Sequence, residues 1–126
     1  MQFPEHLVAS LDDISDPGAS EFRRDDPDWP FRGIVVHWQG KVFAYANSCA
    51  HLGHALNLEP NKFFNSTNDQ LICSSHGAVF EPDTGVCISG PCSGKRLISL
   101  DCRVTGKDIY VRAPESQREL DDLRAR

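Results

Sequence analysis

The 126-residue sequence predicts an all-β fold of antiparallel strands, and three observations carry that prediction. Glycine and proline punctuate the chain every eight to twelve residues or so between positions 30 and 114, the spacing of a sandwich or barrel. The runs between them are short, apolar and rich in β-branched and aromatic residues. One pair of runs, Gly33-Ile34-Val35-Val36-His37-Trp38 and Lys41-Val42-Phe43-Ala44-Tyr45-Ala46, meets at Gln39-Gly40, where Gly40 supplies the positive φ of a tight hairpin turn.

In chain order, an opening strand is expected over residues 6–10. The segment Asp25-Asp26-Pro27-Asp28-Trp29-Pro30 reads as an acidic surface loop, since two prolines and three carboxylates suit neither helix nor sheet. A solvated loop is the simple interpretation and partner docking the sharper one. After the 33–46 hairpin, strands are expected at Gln70-Leu71-Ile72, Ala78-Val79-Phe80 and Val86-Cys87-Ile88, with Pro82-Asp83-Thr84-Gly85 turning between the last two. A final pair is expected at Leu97-Ile98-Ser99-Leu100 and Ile109-Tyr110-Val111, around Thr105-Gly106-Lys107-Asp108. Trp29, Trp38, Phe43 and Phe80 are core candidates. Residues 1–113 form one expected domain. Residues 114–126, with Leu120 and Leu123 three apart, read as a short helix or a frayed tail.

Composition narrows the function. Thirteen basic against 18 acidic side chains give a net charge of −5, which argues against a nucleic-acid backbone as ligand and favours a basic protein partner. No apolar stretch approaches the length of a membrane span. The N-terminus lacks the basic and apolar regions of a secretory signal, so a cytoplasmic location is expected. Cys49, Cys73, Cys87, Cys92 and Cys102 make an odd set, which speaks against a disulfide framework and for metal binding by some of them.

The chemistry lies in Cys49-Ala50-His51-Leu52-Gly53-His54 and Cys73-Ser74-Ser75-His76-Gly77, with 21 residues between His51 and Cys73. Each run supplies one thiol and one imidazole, whereas a C₂H₂ zinc finger groups its two cysteines before its two histidines. The arrangement resembles the Rieske family. That resemblance implies a 2Fe-2S cluster, with Cys49 and Cys73 on one iron and His51 and His76 on the other. It spans roughly residues 33 to 112 and includes Gly53, Gly77 and a proline-containing third loop, Ser89-Gly90-Pro91. The implied fold has stacked antiparallel sheets and a small cluster-binding subdomain.

Two thiolates and two sulfides balance two ferric ions, and the neutral imidazoles spare the site negative charge, which eases reduction relative to a four-thiolate cluster. Respiratory members of the family carry an extra cysteine in each cluster loop, joined as a disulfide, and a serine and a tyrosine that donate to sulfur. The matching positions here are His54, Ser75, Ala78 and Phe80. The resemblance therefore points to the low-potential, ferredoxin or oxygenase-associated branch. His54 reads as a packing or solvent-facing residue rather than a ligand. Cys87, Cys92 and Cys102 read as small buried hydrophobes, with Cys92 the most exposed and oxidisable of them.

The expected function is a one-electron carrier without substrate chemistry of its own, working between a reductase and a terminal oxygenase or similar enzyme. The expected partners are thus redox proteins, with no nucleic acid and no membrane. Two alternatives are a small Rieske subunit of a larger oxygenase or nitrite reductase complex and a zinc-stabilised interaction module.

Overall fold

The computed structural model describes residues 3–48, 55–57, 61–74 and 77–125. Its described strands are β1 (Glu5–Ser10), β2 (Gly18–Arg24), β3 (Phe31–Trp38), β4 (Lys41–Ala46), β5 (Leu71–Ile72), β6 (Val79–Phe80), β7 (Cys87–Ser89), β8 (Ser99–Leu100), β9 (Cys102–Thr105) and β10 (Asp108–Arg112). A 3₁₀ turn follows β1 and one helix, α1 (Gln117–Arg124), ends the chain. The strands form three antiparallel sheets, ordered β1-β10-β9, β2-β3-β4-β8 and β5-β6-β7.

The four-stranded sheet is the middle layer, and β3 shows why. Ile34, Val35 and Val36 are all fully buried, although neighbouring residues on a strand face opposite ways. Ile34 and Val36 join a core with Tyr45, Phe63, Leu71 and Phe80, beneath the β5-β6-β7 sheet. Val35 joins a second core with Ala44, Ile109, Val111 and Leu120, beneath the β1-β10-β9 sheet. An unbroken apolar run is what a strand covered on both faces requires.

The β3–β4 turn has φ of 51° at Gln39 and 77° at Gly40, as a two-residue hairpin demands. The Asp16 carboxylate takes both N–H groups of that turn, at 2.9 and 2.8 Å. The expected strands at 6–10, 33–46, 70–72, 78–80 and 86–88 are all present to within two residues. Phe80 is fully buried, while Trp29, Trp38 and Phe43 pack half-buried against the cores.

Two strands escaped the sequence pattern, and one pairing differs from it. Strand β2 is small and charged, Gly-Ala-Ser-Glu-Phe-Arg-Arg, yet pairs with β3 over its whole length. Its Phe22 ring lies over Gly33, where a Cβ would come within 2.2 Å of the ring. Strand β9 is largely exposed and has no apolar run to betray it. It, rather than residues 97–100, pairs with β10. Residues 99–100 instead extend the middle sheet beside β4. Helix α1 is capped by Ser116, whose hydroxyl accepts from the Glu119 N–H, and Leu120 docks into the second core. That burial selects the helix over the frayed tail.

The β6–β7 hairpin is fastened to the middle sheet by Tyr45, whose buried hydroxyl donates to the Pro82 carbonyl at 2.9 Å. Burial pushes the Tyr45 phenol pKa up, so the hydroxyl stays a donor at all physiological pH. Gly85, at φ +73°, lies against the same ring, and a Cβ there would meet Tyr45 Cε1 at 2.8 Å. Tyr45→Phe, which leaves the Pro82 carbonyl buried and unpaired, should cost about 1–3 kcal/mol in denaturant unfolding. Gly85→Ala, which adds positive-φ strain to a collision, should cost at least about 1–3 kcal/mol in the same assay. Unchanged unfolding midpoints in both variants would show that the hairpin is not anchored through this ring.

Candidate metal centre

Of the four expected ligands, Cys73 lies among the described residues; Cys49, His51 and His76 do not, and neither do Gly53, His54 and Ser75. Cys73 follows β5 directly and is only 1% exposed. It forms no disulfide. Its N–H donates to the Ala78 carbonyl at 2.8 Å, and its own carbonyl accepts from the Gly77 N–H at 2.9 Å. These two bonds tie Cys73 to Gly77 and Ala78 at the far end of the second ligand segment. Gly77 has φ of +71° with open space where a Cβ would stand, so backbone conformation rather than crowding favours glycine there.

The flanks of the two ligand segments are tied together. Asn47, two residues before Cys49, is buried, and its Oδ1 accepts from the Leu56 N–H at 2.8 Å across the base of the first segment. The Leu56 carbonyl in turn accepts from the Ser74 N–H at 2.8 Å, next to Cys73. The Asn47 Nδ2 donates to Asn57 Oδ1 at 2.9 Å and to Glu21 Oε2 on β2. Glu21 also pairs with Arg32 at 2.6 Å and Arg23 at 3.1 Å. Burial pushes the Glu21 carboxyl up. The hydrogen bonds from Asn47, Arg23 and Arg32, with the charge of Arg32, outweigh that and hold it below the ordinary carboxylate range.

The third loop packs against the second segment. Gly90, at φ +95°, lies so close to the second segment that a Cβ would meet Ala78 Cα at 2.9 Å and the Gly77 carbonyl oxygen at 3.4 Å. Ala78 and Phe80 are both fully buried and bring no hydroxyl to this region. Cys92, expected to be the exposed cysteine, is instead 1% exposed and belongs to the first core. The turn after Pro91 folds it inward, with the Lys95 N–H bonded to its carbonyl at 2.9 Å. Cys87 is buried too, as expected, whereas Cys102 is only partly so. His37 serves the fold, its Nδ1 at 3.1 Å from the Ile14 carbonyl and its Nε2 at 3.7 Å from Asp16.

These observations fit a 2Fe-2S cluster. A buried, uncrosslinked thiol stands at the mouth of a glycine-closed turn, beside the base of a second segment that carries one more thiol and an imidazole. The donor set of soft thiolates and neutral imidazoles suits iron bridged by sulfide. Among the described residues, which include only Cys73 of the expected ligands, no group of three or more His, Cys, Asp or Glu side chains is placed to hold a metal ion. The sequence pattern missed Asn47 and Glu21. A polar residue ending the apolar run Val42–Ala46 was a weak signal for the first, and nothing local marked the second.

Asn47→Ala should strand the buried Leu56 N–H and cost about 1–3 kcal/mol in denaturant unfolding. Glu21→Gln should show a pH signature. Because the folded protein holds the Glu21 carboxyl below its ordinary value of 4.5, the ionised form adds stability that is complete above that pH. The contribution is lost as pH falls through the lower folded value. The stability gap between the parent protein and Glu21→Gln, read from unfolding at neutral pH and again below the carboxylate range, should therefore shrink on acidification. A gap that stays constant with pH would show that the charge of Glu21 does not support the loop base.

The chain matches the family model of the Rieske [2Fe-2S] domain over residues 6–111. No curated protein sequence matches it significantly. Among solved structures it is similar to the ferredoxin of carbazole 1,9a-dioxygenase from Nocardioides aromaticivorans IC177, at 26% identity and a TM-score of 0.67, covering 88% of this chain and 98% of that one. It also superimposes on a chain in a complex of reduced oxygenase and oxidized ferredoxin of carbazole 1,9a-dioxygenase, at 20% identity and a TM-score of 0.66, covering 89% and 95%. The terminal oxygenase of carbazole 1,9a-dioxygenase from Novosphingobium sp. KA1 shares the fold at 15% identity and a TM-score of 0.71, but this chain spans only 32% of it. The family match, the three antiparallel sheets and the buried Cys73 turn agree: the chain belongs to the Rieske [2Fe-2S] family, binds a 2Fe-2S cluster and acts as an electron carrier.

Proposed function

We propose that this protein is a Rieske-type ferredoxin that takes single electrons from a reductase and delivers them to a terminal oxygenase or a similar redox enzyme in the cytoplasm. The observation that carries this reading is the likeness to a dioxygenase ferredoxin over nearly all of that chain. In this reading the protein performs no substrate chemistry itself. Residues 1–113 are the cluster domain, and residues 114–126 are a C-terminal segment appended to it. No described helix is long and apolar enough to cross a membrane.

Cys49 and Cys73 hold one iron, and His51 and His76 hold the other. When bound, the cluster supplies a one-electron iron couple. The chain does the rest: Asn47 and Leu56 fix the base of the first segment, Gly77 closes the second, and the Gly90 loop packs against Gly77 and Ala78. The imidazole edges are the exchange point. The exposed acidic turn at residues 25–28 supports a basic docking partner. It joins β2 to β3 at the end where the Arg32 carbonyl accepts from the Asn47 N–H, just before the first ligand segment.

Aerobically purified protein should contain about two irons and two acid-labile sulfides per chain and accept about one electron per chain in a reductive titration. His51→Ala or His76→Ala should abolish or strongly destabilise the cluster, while His54→Ala should keep it. One zinc without labile sulfide, or cluster loss in the His54 variant alone, would overturn the ligand assignment.

The midpoint potential should lie toward the low end of the Rieske range of about −150 to +300 mV, because Ala78 and Phe80 give the sulfurs no hydroxyl donors. Ala78→Ser and Phe80→Tyr should each raise it by roughly tens of millivolts, as a neutral hydrogen bond of about 1 kcal/mol is shared between both redox states. Voltammetry reads this directly, and a parent midpoint above about +100 mV would contradict the low-potential assignment.

A further inference from the structure

The Cys92 thiol lies 2.7 Å from the Cys87 sulfur, both fully enclosed by the first core. That separation is closer than non-bonded sulfur atoms pack and approaches the disulfide length of about 2.05 Å. The backbone already holds the two residues in register. The Cys87 N–H donates to the Lys95 carbonyl at 2.7 Å, the Gly94 N–H donates to the Cys87 carbonyl at 3.0 Å, and the Lys95 N–H donates to the Cys92 carbonyl at 2.9 Å. Cys102 offers a contrast: its sulfur faces the Val42 carbonyl at 3.5 Å, some 60 residues away along the chain.

We propose that Cys87 and Cys92 form a reversible disulfide that clamps the Ser89-Gly90-Pro91 loop onto the second ligand segment. The crosslink would bracket the residue, Gly90, that lies against Gly77 and Ala78. It differs in place from a disulfide between the two ligand loops, whose positions hold His54 and Ser75 here. The oxidant is a low-molecular-weight disulfide. One cysteine thiolate attacks it and releases one small thiol; the second cysteine then displaces the other. Two protein thiols lose two electrons, the small disulfide gains them, and the two protons end on the released thiols. The loop is one chain thick over this pair, with residues 88–91 and 93–96 exposed, so local opening gives the oxidant access.

The crosslink chemistry stands on the sulfur geometry alone, and its consequence for the cluster rests on the function proposed above. The test uses iron-loaded protein equilibrated anaerobically in glutathione buffers from fully reduced to fully oxidised, then denatured, alkylated and mapped by peptide mass. In the oxidised buffer Cys87 and Cys92 should appear together as one crosslinked peptide two hydrogens lighter, with Cys102 alkylated throughout. Bleaching of the visible absorption by an iron chelator should be slower in the oxidised form by about threefold, since the clamp suppresses local opening. The double variant Cys87→Ser with Cys92→Ser should bleach at one rate in both buffers. Alkylation of both Cys87 and Cys92 in the oxidised buffer, or glutathione attached to either alone, would overturn the pairing. A crosslink that leaves the bleaching rate unchanged would overturn the clamp. A preparation without iron would contradict the cluster reading, and the peptide map would still decide the crosslink.

Discussion

The architecture depends on a buried amide. Asn47 stands where the apolar strand β4 gives way to the first ligand segment, and its side chain makes three hydrogen bonds while almost wholly out of water. A buried amide without partners costs several kcal/mol, so the site is stable only when Leu56, Asn57 and Glu21 are all in place. Leu56 passes the constraint on through its carbonyl to Ser74, beside the buried Cys73. The middle sheet thus fixes the base of one ligand segment, and that base fixes the other. Glu21 extends the network to β2, where the Asn47 amide, Arg23 and Arg32 outweigh its burial and hold its carboxyl below the ordinary range.

Beside this polar hub, the residues that flank the second ligand segment are apolar. Ala78, Phe80, Cys87 and Cys92 are buried together, and Gly90 presses the third loop against them. Such surroundings suit a cofactor whose total charge stays near zero, because little charge need be carried into low dielectric on reduction. The same absence of hydroxyl donors that leaves reduced sulfur less stabilised also leaves no buried hydroxyl to satisfy.

Much of the fold was legible because its signals are local. The Gln39-Gly40 turn, the unbroken apolar run of β3 and the Pro82–Gly85 turn can each be read from a few adjacent residues. Strand β2 was not, since Gly18–Arg24 owes its place to seven backbone pairs with β3 and to the seat that Gly33 leaves for Phe22. Strand β9 hid because its side chains face solvent, and residues 97–100 were paired wrongly because the chain changes sheets at Asp101, which carries no turn signal. The cluster motif itself was plain, as it consists of residue types at fixed spacing. The residues that hold its base were not. Asn47, Glu21 and the Cys87–Cys92 contact join positions that only the folded chain brings together.

The central claim is that two histidines and two cysteines share a two-iron cluster in this small β-domain. Pulsed electron paramagnetic resonance on the one-electron-reduced protein tests it most directly, because imidazole on the reduced iron couples its ligating nitrogen to the unpaired spin and thiolate cannot. The account predicts strong couplings from two histidine nitrogens. A spectrum with no such nitrogen coupling, as a four-thiolate cluster gives, or no paramagnetic signal in a zinc-loaded protein, would contradict it.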